Sequence, residues 1–233
     1  MIDIARLKLN MPRSIQTRSQ NLGRSLLFCE GPTEQYYFDH FAGILESLPN
    51  KFTDMEIKTL PGSGGGANGV LVFAEEFLKD DVNAKGYELY DKYLVFDCDA
   101  PENIEDVIRD MRQSANDYRL LITNREFESW LVMHYEDPVP GQAKSELGSP
   151  RTILSFHLYK NYKKASKGIV RQIIGDGEAV RKAINCAEEI EAHYNRQGMS
   201  LEQIEHYINQ MNPYTSVHHF MEAVLEEMNR TKN

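Results

Sequence analysis

The 233-residue chain holds only three cysteines, Cys29, Cys98 and Cys186, an odd number with no C-x-x-C pair. That argues against a disulfide framework and against a cysteine-based zinc site, and it fits a reducing compartment. No apolar run approaches the roughly 20 residues that cross a bilayer, and the opening MIDIARLKLNMPR lacks the unbroken apolar stretch of a secretory signal. These absences point to the cytoplasm and to no membrane partner. Internal repeats and low-complexity tracts are missing too, and 41% hydrophobic residues is the composition of a globule, not of a disordered chain. A basic excess is also lacking: the formal net charge is -9, which at first speaks against nucleic acid.

Divided along the chain, the charge says something else. Residues 1–29 carry Arg6, Lys8, Arg13, Arg18 and Arg24 against Asp3, and residues 151–171 carry Arg151, Lys160, Lys163, Lys164, Lys167 and Arg171 with no acid. Two basic patches therefore stand on an acidic body.

Periodicity organises the rest. Residues 1–24 read as a basic N-terminal arm. SLLFCEG is a buried strand and GPTEQYYFDHFAGIL a helix; MEIKTL is a second strand, PGSGGGAN a loose loop, and a helix runs from about Val70 to Lys79. KYLVFDCD, the helix IEDVIRDMRQSA and RLLIT follow, then a helix from about Arg125 through FESWLVMHY. Alternation of this kind predicts an α/β core over residues 25–137, a mostly parallel sheet with helices on both faces. The Pro/Gly-rich EDPVPGQAKSELGSP leads into a helical C-terminal region, residues 138–233, packed on that core. There AVRKAINCAEEIEAHY forms one helix, Ser200 to Gln203 reads as a capping box opening another, and Val217 to Met228 define the last.

Three acids stand where two of the apolar strands end: Glu30 after LLFC, and Asp97 with Asp99 after YLVF. In a doubly wound sheet these ends open onto the binding crevice, where gathered carboxylates repel one another unless a cation lies between them. The D-x-D spacing on an extended segment turns both side chains to one side. Phosphodiester chemistry needs an activated nucleophile and a neutralised leaving oxygen, which two metal ions about 4 Å apart provide, and Mg2+ favours a few carboxylates plus water. A blander account has the acids merely solvating strand ends. Glu34 falls at N3 of its helix if Pro32 is N1, so a helix-dipole role stands beside assistance at a metal site; the same holds for Glu128, in the first turn of its helix.

CEGPTEQYYF followed by VFDCD resembles the Toprim pattern, a Glu after the first strand and an Asp-x-Asp after the third, found in topoisomerases, primases and OLD-family nucleases. More narrowly, EGPTEQYYF, FDCD, TNREFESWLVMHY, YKNYKK and NPYTSVH in that order resemble the RloB-like family over roughly residues 25 to 225. The resemblance implies a Toprim fold, Mg2+ or Mn2+ held by Glu30, Asp97 and Asp99, nuclease-like chemistry with Glu34 and Glu128 in the family's acidic positions, and a setting in defence against foreign DNA. It also implies a partner ATPase or restriction-system protein; a homodimer is left open. TNREF departs from the relatives' SNPCF at Arg125 and Glu126.

LYKNYKKASKGIVR places Lys160, Lys163, Lys164, Lys167 and Arg171 on one face of a helix, a surface that would follow a DNA or RNA backbone by releasing counterions, with Tyr159 and Tyr162 placed to stack on bases. A solvated charged surface is the plain alternative. PGSGGGANG lacks the Lys-Ser/Thr ending of a P-loop, and the seven histidines show no metal spacing, with His218 and His219 expected on different helix faces and assigned no ligand. The leading function is a divalent-metal-dependent nuclease. Against it stand a non-catalytic nucleic-acid-binding or sensing subunit acting with a partner, and a haloacid-dehalogenase-type phosphatase, whose D-x-D follows the first strand whereas VFDCD follows the third.

Overall fold

The computed structural model describes residues 23–48, 55–62, 65–98, 104–141, 148–175 and 177–230. LLFC and LVFD are continuous apolar runs because both strands are covered on both faces, the normal state of a parallel sheet. They become β1 (Arg24–Cys29) and β3 (Asp91–Asp97), hydrogen-bonded neighbours with Phe28 opposite Leu94 and Cys29 opposite Val95. The sheet is completed by β2 (Glu56–Pro61), β4 (Tyr118–Asn124) and the two-residue β5 (Tyr214–Thr215), in the order β2-β1-β3-β4-β5. All pairs are parallel except β4 with β5.

Between the strands run α1 (Pro32–Ser47), α2 (Gly66–Lys79), the short α3 (Asp81–Gly86) and α4 (Ile104–Gln113), and after β4 comes α5 (Glu128–Val132). The C-terminal part comprises α6 (Pro150–His157), α7 (Lys167–Ile174), α8 (Glu178–Asn195), a 3-10 turn at Leu201–Gln203, α9 (Ile204–Tyr207) and α10 (Val217–Arg230). The expected α/β class with a helical C-terminus is what the chain adopts. One apolar cluster joins both parts, from Leu26 and Phe28 of β1 through Trp130 to Val180, Ile184 and Phe220. No helix among the described residues is long and apolar enough to cross a membrane.

Chain order reverses at β1 and β3, since β1 leads to β2 on one side and the next crossover returns on the other. In open α/β sheets the crevice beyond the strand ends at such a reversal is where ligands sit. Glu30 and Asp97 flank it.

Several local expectations are corrected. The glycine-rich loop is shorter than PGSGGGAN suggests, because α2 starts at Gly66, with Gly65 before it at φ 93. The helix expected from Arg125 to Tyr135 is regular only over Glu128–Val132. Ser200 makes no side-chain cap bond, and a 3-10 turn replaces the expected helix start. The basic segment is not one helix: Tyr159 (φ 53) and Ala165 (φ 59) adopt left-handed conformations that interrupt it, leaving Lys160, Lys163 and Lys164 between α6 and α7. Of the arm expected over residues 1–24, residues 1–22 lie outside the described residues, as does Asp99, while Arg24 already belongs to β1.

Candidate functional site

Each acid reaches the crevice by a separate local rule. Glu30 follows β1 directly, its backbone N–H donating to the Val95 carbonyl at 2.9 Å, so the β1–β3 ladder fixes its position. Asp97 closes β3, and its backbone N–H donates to Glu30 Oε2 at 2.9 Å, which ties the two strand ends together. Pro32 opens α1 after the extended Gly31, and this puts Glu34 at N3, over the same crevice. Glu128 is the first residue of α5, which leaves the end of β4.

The chain approaches β1 closely here. Gly62 N–H donates to the Cys29 carbonyl at 2.5 Å, and a Cβ on Gly62 would stand 2.5 Å from that oxygen, a contact only glycine avoids. A Cβ on Gly31 would come within 3.1 Å of Glu34 Oε2.

Glu34, Asp97 and Glu128 are almost wholly buried, at 1%, 5% and 0% exposure, while Glu30 is half-buried. Buried oxygens are left without a hydrogen-bond partner on all three: Glu34 Oε2, Asp97 Oδ1 and Glu128 Oε2. Lys164 stands between two of them, its Nζ 3.9 Å from Asp97 Oδ2 and 3.9 Å from Glu128 Oε2. Tyr162 donates its hydroxyl to Glu128 Oε1 at 3.0 Å, and Thr33 Oγ1 accepts from the Ala165 N–H at 3.0 Å, which holds this loop over α1.

The electrostatic consequence follows from burial. Loss of solvent, then repulsion from Glu34 and Glu30, raises the Asp97 carboxyl to about 9. Burial lifts Glu34 to about 7, against the pull of its own backbone N–H and of Lys164. The Lys164 ammonium is opposed by burial, yet Glu128, Asp97 and Glu34 carry its pKa above the ordinary lysine value. The crevice is thus a nest of carboxylates short of positive charge.

Beside it opens a cleft of about 540 Å³ lined by Asp97, Lys164, Arg125, Arg151, Ser129 and Asn212, among others. Arg151 Nη2 is paired with Glu126 Oε2 at 3.0 Å. Arg125 follows a cis peptide bond at Asn124, and Asn212 precedes another at Pro213. The Asn124 side chain bridges the two stretches, donating to the carbonyls of Ile208 (2.5 Å) and Met211 (2.6 Å).

Of the residues picked from sequence, Glu30, Glu34, Asp97, Glu128 and Lys164 come together. Lys160, Lys163, Lys167 and Arg171 are exposed like Lys164, but only Lys164 is paired with the crevice acids, and Lys160 Nζ donates to Gln172 Oε1 at 2.6 Å. Lys164 serves the carboxylates instead of an outward basic stripe, and Tyr162 is spent on Glu128 and is not free to stack on a base. Arg125 and Arg151, named in the sequence only as a departure from relatives and as one charge of the basic patch, meet across the cleft because of where the segment after β4 and the start of α6 lead.

The carboxylates stand spread around Lys164. Among the described residues, no three of them bring one oxygen each within 4.8 Å of the others; the group that does is Glu191, His218 and His219. This corrects the reading of the two histidines. Adjacent helical positions are about 100° apart, not opposite, so both rings can swing to one side when an acid on a neighbouring helix lies between them.

The family profile described as RloB-like protein matches residues 25–224. No curated protein and no solved structure matches the chain. The match covers every element from β1 into α10, the carboxylate crevice included, and the chain therefore belongs to the RloB-like protein family.

Proposed function

We propose that the chain is a divalent-metal-dependent nuclease of Toprim type that cleaves phosphodiester bonds of nucleic acid, in keeping with a role in defence against foreign DNA. The observation that carries this reading is the burial of Glu34, Asp97 and Glu128, each with an oxygen that makes no hydrogen bond, at the topological switch of a parallel sheet, beside a cation-lined cleft. A buried carboxylate without a partner is costly, and oxygen-rich donor sets of this kind suit Mg2+ or Mn2+. Glu30 and Asp97 would hold the ion, with Glu34 and Glu128 beside them. When bound, it supplies Lewis-acid polarisation of the phosphodiester and neutralises charge on the leaving oxygen.

The chain's own residues do the rest. Arg125 and Arg151 bind backbone phosphates at the cleft mouth, and Lys164 offsets charge developing on the phosphoryl group. Glu34 Oε2, which has no hydrogen-bond partner, would accept the proton of the attacking water. Cleavage of supercoiled plasmid, linear duplex, single-stranded DNA and RNA by chelator-treated protein, with and without Mg2+ or Mn2+, tests the reading. Asp97→Asn should abolish cation-dependent cleavage; full activity of that variant would remove the assignment.

One observation favours a second reading. Lys164 already gives Asp97 and Glu128 a cationic neighbour, as would suit a nucleic-acid-binding subunit that works with a partner protein. That reading expects salt-dependent binding that survives Asp97→Asn and no cleavage by the isolated chain.

A further inference from the structure

Outside the carboxylate crevice, a second cluster brings metal-ligating atoms together. Glu191 lies on α8, and His218 and His219 are the second and third residues of α10. His218 Nε2 is 3.3 Å from Glu191 Oε2 and His219 Nε2 is 3.1 Å from the same oxygen. The two rings face each other at 3.9 Å between centroids, and the Tyr214 hydroxyl donates to Glu191 Oε1 at 3.2 Å, steadying the carboxylate from β5.

We propose that Glu191, His218 and His219 form a second divalent-cation site, separate from the carboxylate crevice and selective for zinc-class ions, that ties α8 to α10. Zinc bonds to imidazole nitrogen and carboxylate oxygen are about 2.0–2.2 Å, so the edge of its tetrahedron is about 3.3 Å. The two nitrogen-to-oxygen separations match that edge. All three donor atoms lie within 4.8 Å of one another, close enough for one ion. Two imidazoles and one carboxylate suit zinc, cobalt or nickel better than Mg2+.

An ordinary ion pair explains the arrangement less well. It requires an imidazolium, whereas the His218 ring is fully buried, where an added charge is costly. A neutral ring is the form that binds metal. Its Nε2 is the ring atom turned to Glu191, 3.3 Å from Oε2. Glu191 and His219 keep 18% and 25% of their side chains exposed, leaving a path for the ion and for a water at the fourth position. Clamping α8 to α10 here would also fix Asn212 and Pro213, which lie just before β5 and line the cleft.

Visible absorption during Co2+ titration of the chelator-treated full chain tests this, with Zn2+ as competitor. The expected result is a four-coordinate ligand-field band that saturates at one Co2+ per chain and that Zn2+ displaces. The band should persist in Asp97→Asn, while His219→Ala and Glu191→Gln each weaken Co2+ binding by more than about tenfold, the loss that even outer partners of metal ligands can cause. Zn2+ should raise the melting temperature of wild type and not of His219→Ala. Absence of the band, a band unchanged in both variants, or a band lost in Asp97→Asn would overturn the proposal, the last by assigning the ion to the crevice.

Discussion

Acid titration of His134 probes the support behind the crevice. The ring is 3% exposed and joins the helices that carry two of the acids: Tyr37, one turn beyond Glu34 on α1, donates its hydroxyl to His134 Nε2 at 3.2 Å, and His134 Nδ1–H donates to the Trp130 carbonyl at 3.1 Å, two residues past Glu128. Both ring nitrogens are committed to the neutral tautomer. A second proton would displace the Tyr37 donor and bury a charge, and burial accordingly lowers the pKa from 6.5 to about 4. Because the folded pKa lies below the unfolded one, the unfolded chain binds the extra proton first. Stability is therefore complete above about pH 6.5 and falls as pH drops toward 4. With about 1.4 kcal/mol for each unit, the loss over that window is about 3 kcal/mol. Urea unfolding at pH 7, 6, 5 and 4 measures it, with His134→Gln as the reference that keeps a polar side chain without the titration. The difference between the two proteins should shrink by about 3 kcal/mol between pH 7 and pH 4. Parallel profiles would refute the reasoning and mean that the ring accepts its proton in the folded state.

Three further outcomes are expected. Tyr162→Phe removes the donor to Glu128 Oε1 and should destabilise the fold by about 1.5–3 kcal/mol, the range for a hydrogen bond to a charged group, as read by chemical denaturation. Arg125→Gln combined with Arg151→Gln should weaken nucleic-acid binding and flatten log K against log salt by roughly 1–2 in fluorescence anisotropy, whereas Lys160→Gln should change the slope less, since Lys160 lies off the cleft. Lys164→Met should lower kcat of cation-dependent cleavage by about 10²-fold, the scale of losing one stabilising donor at a developing charge, with thermal unfolding still cooperative.

The parts of this molecule that were legible in sequence are those set by period and by strand-end chemistry. LLFC and YLVF announce buried parallel strands, Pro32 sets α1 and so puts Glu34 at N3, and the acids after β1 and β3 fall at the switch point because alternating elements leave few topologies. What failed depends on backbone torsion and on long-range approach. Tyr159 and Ala165 carry no residue signal for a left-handed turn, so spacing alone made a helix of what is an irregular stretch leading into α7, and missed that Lys164 reaches Asp97. Glu191 lies 27 residues before His218, and only the packing of α8 on α10 reveals that they meet. β5, two residues long and antiparallel to β4, is below the length at which alternation can be read.

The most direct measurement is calorimetric titration of Mg2+ at pH 7.5 into the chelator-treated His219→Ala protein and into the same protein with Asp97→Asn added, so that the imidazole cluster is out of play in both. The account predicts saturable Mg2+ uptake in the first protein and at least about tenfold weaker uptake in the second. Equal uptake by the two, or no uptake by either, would contradict it.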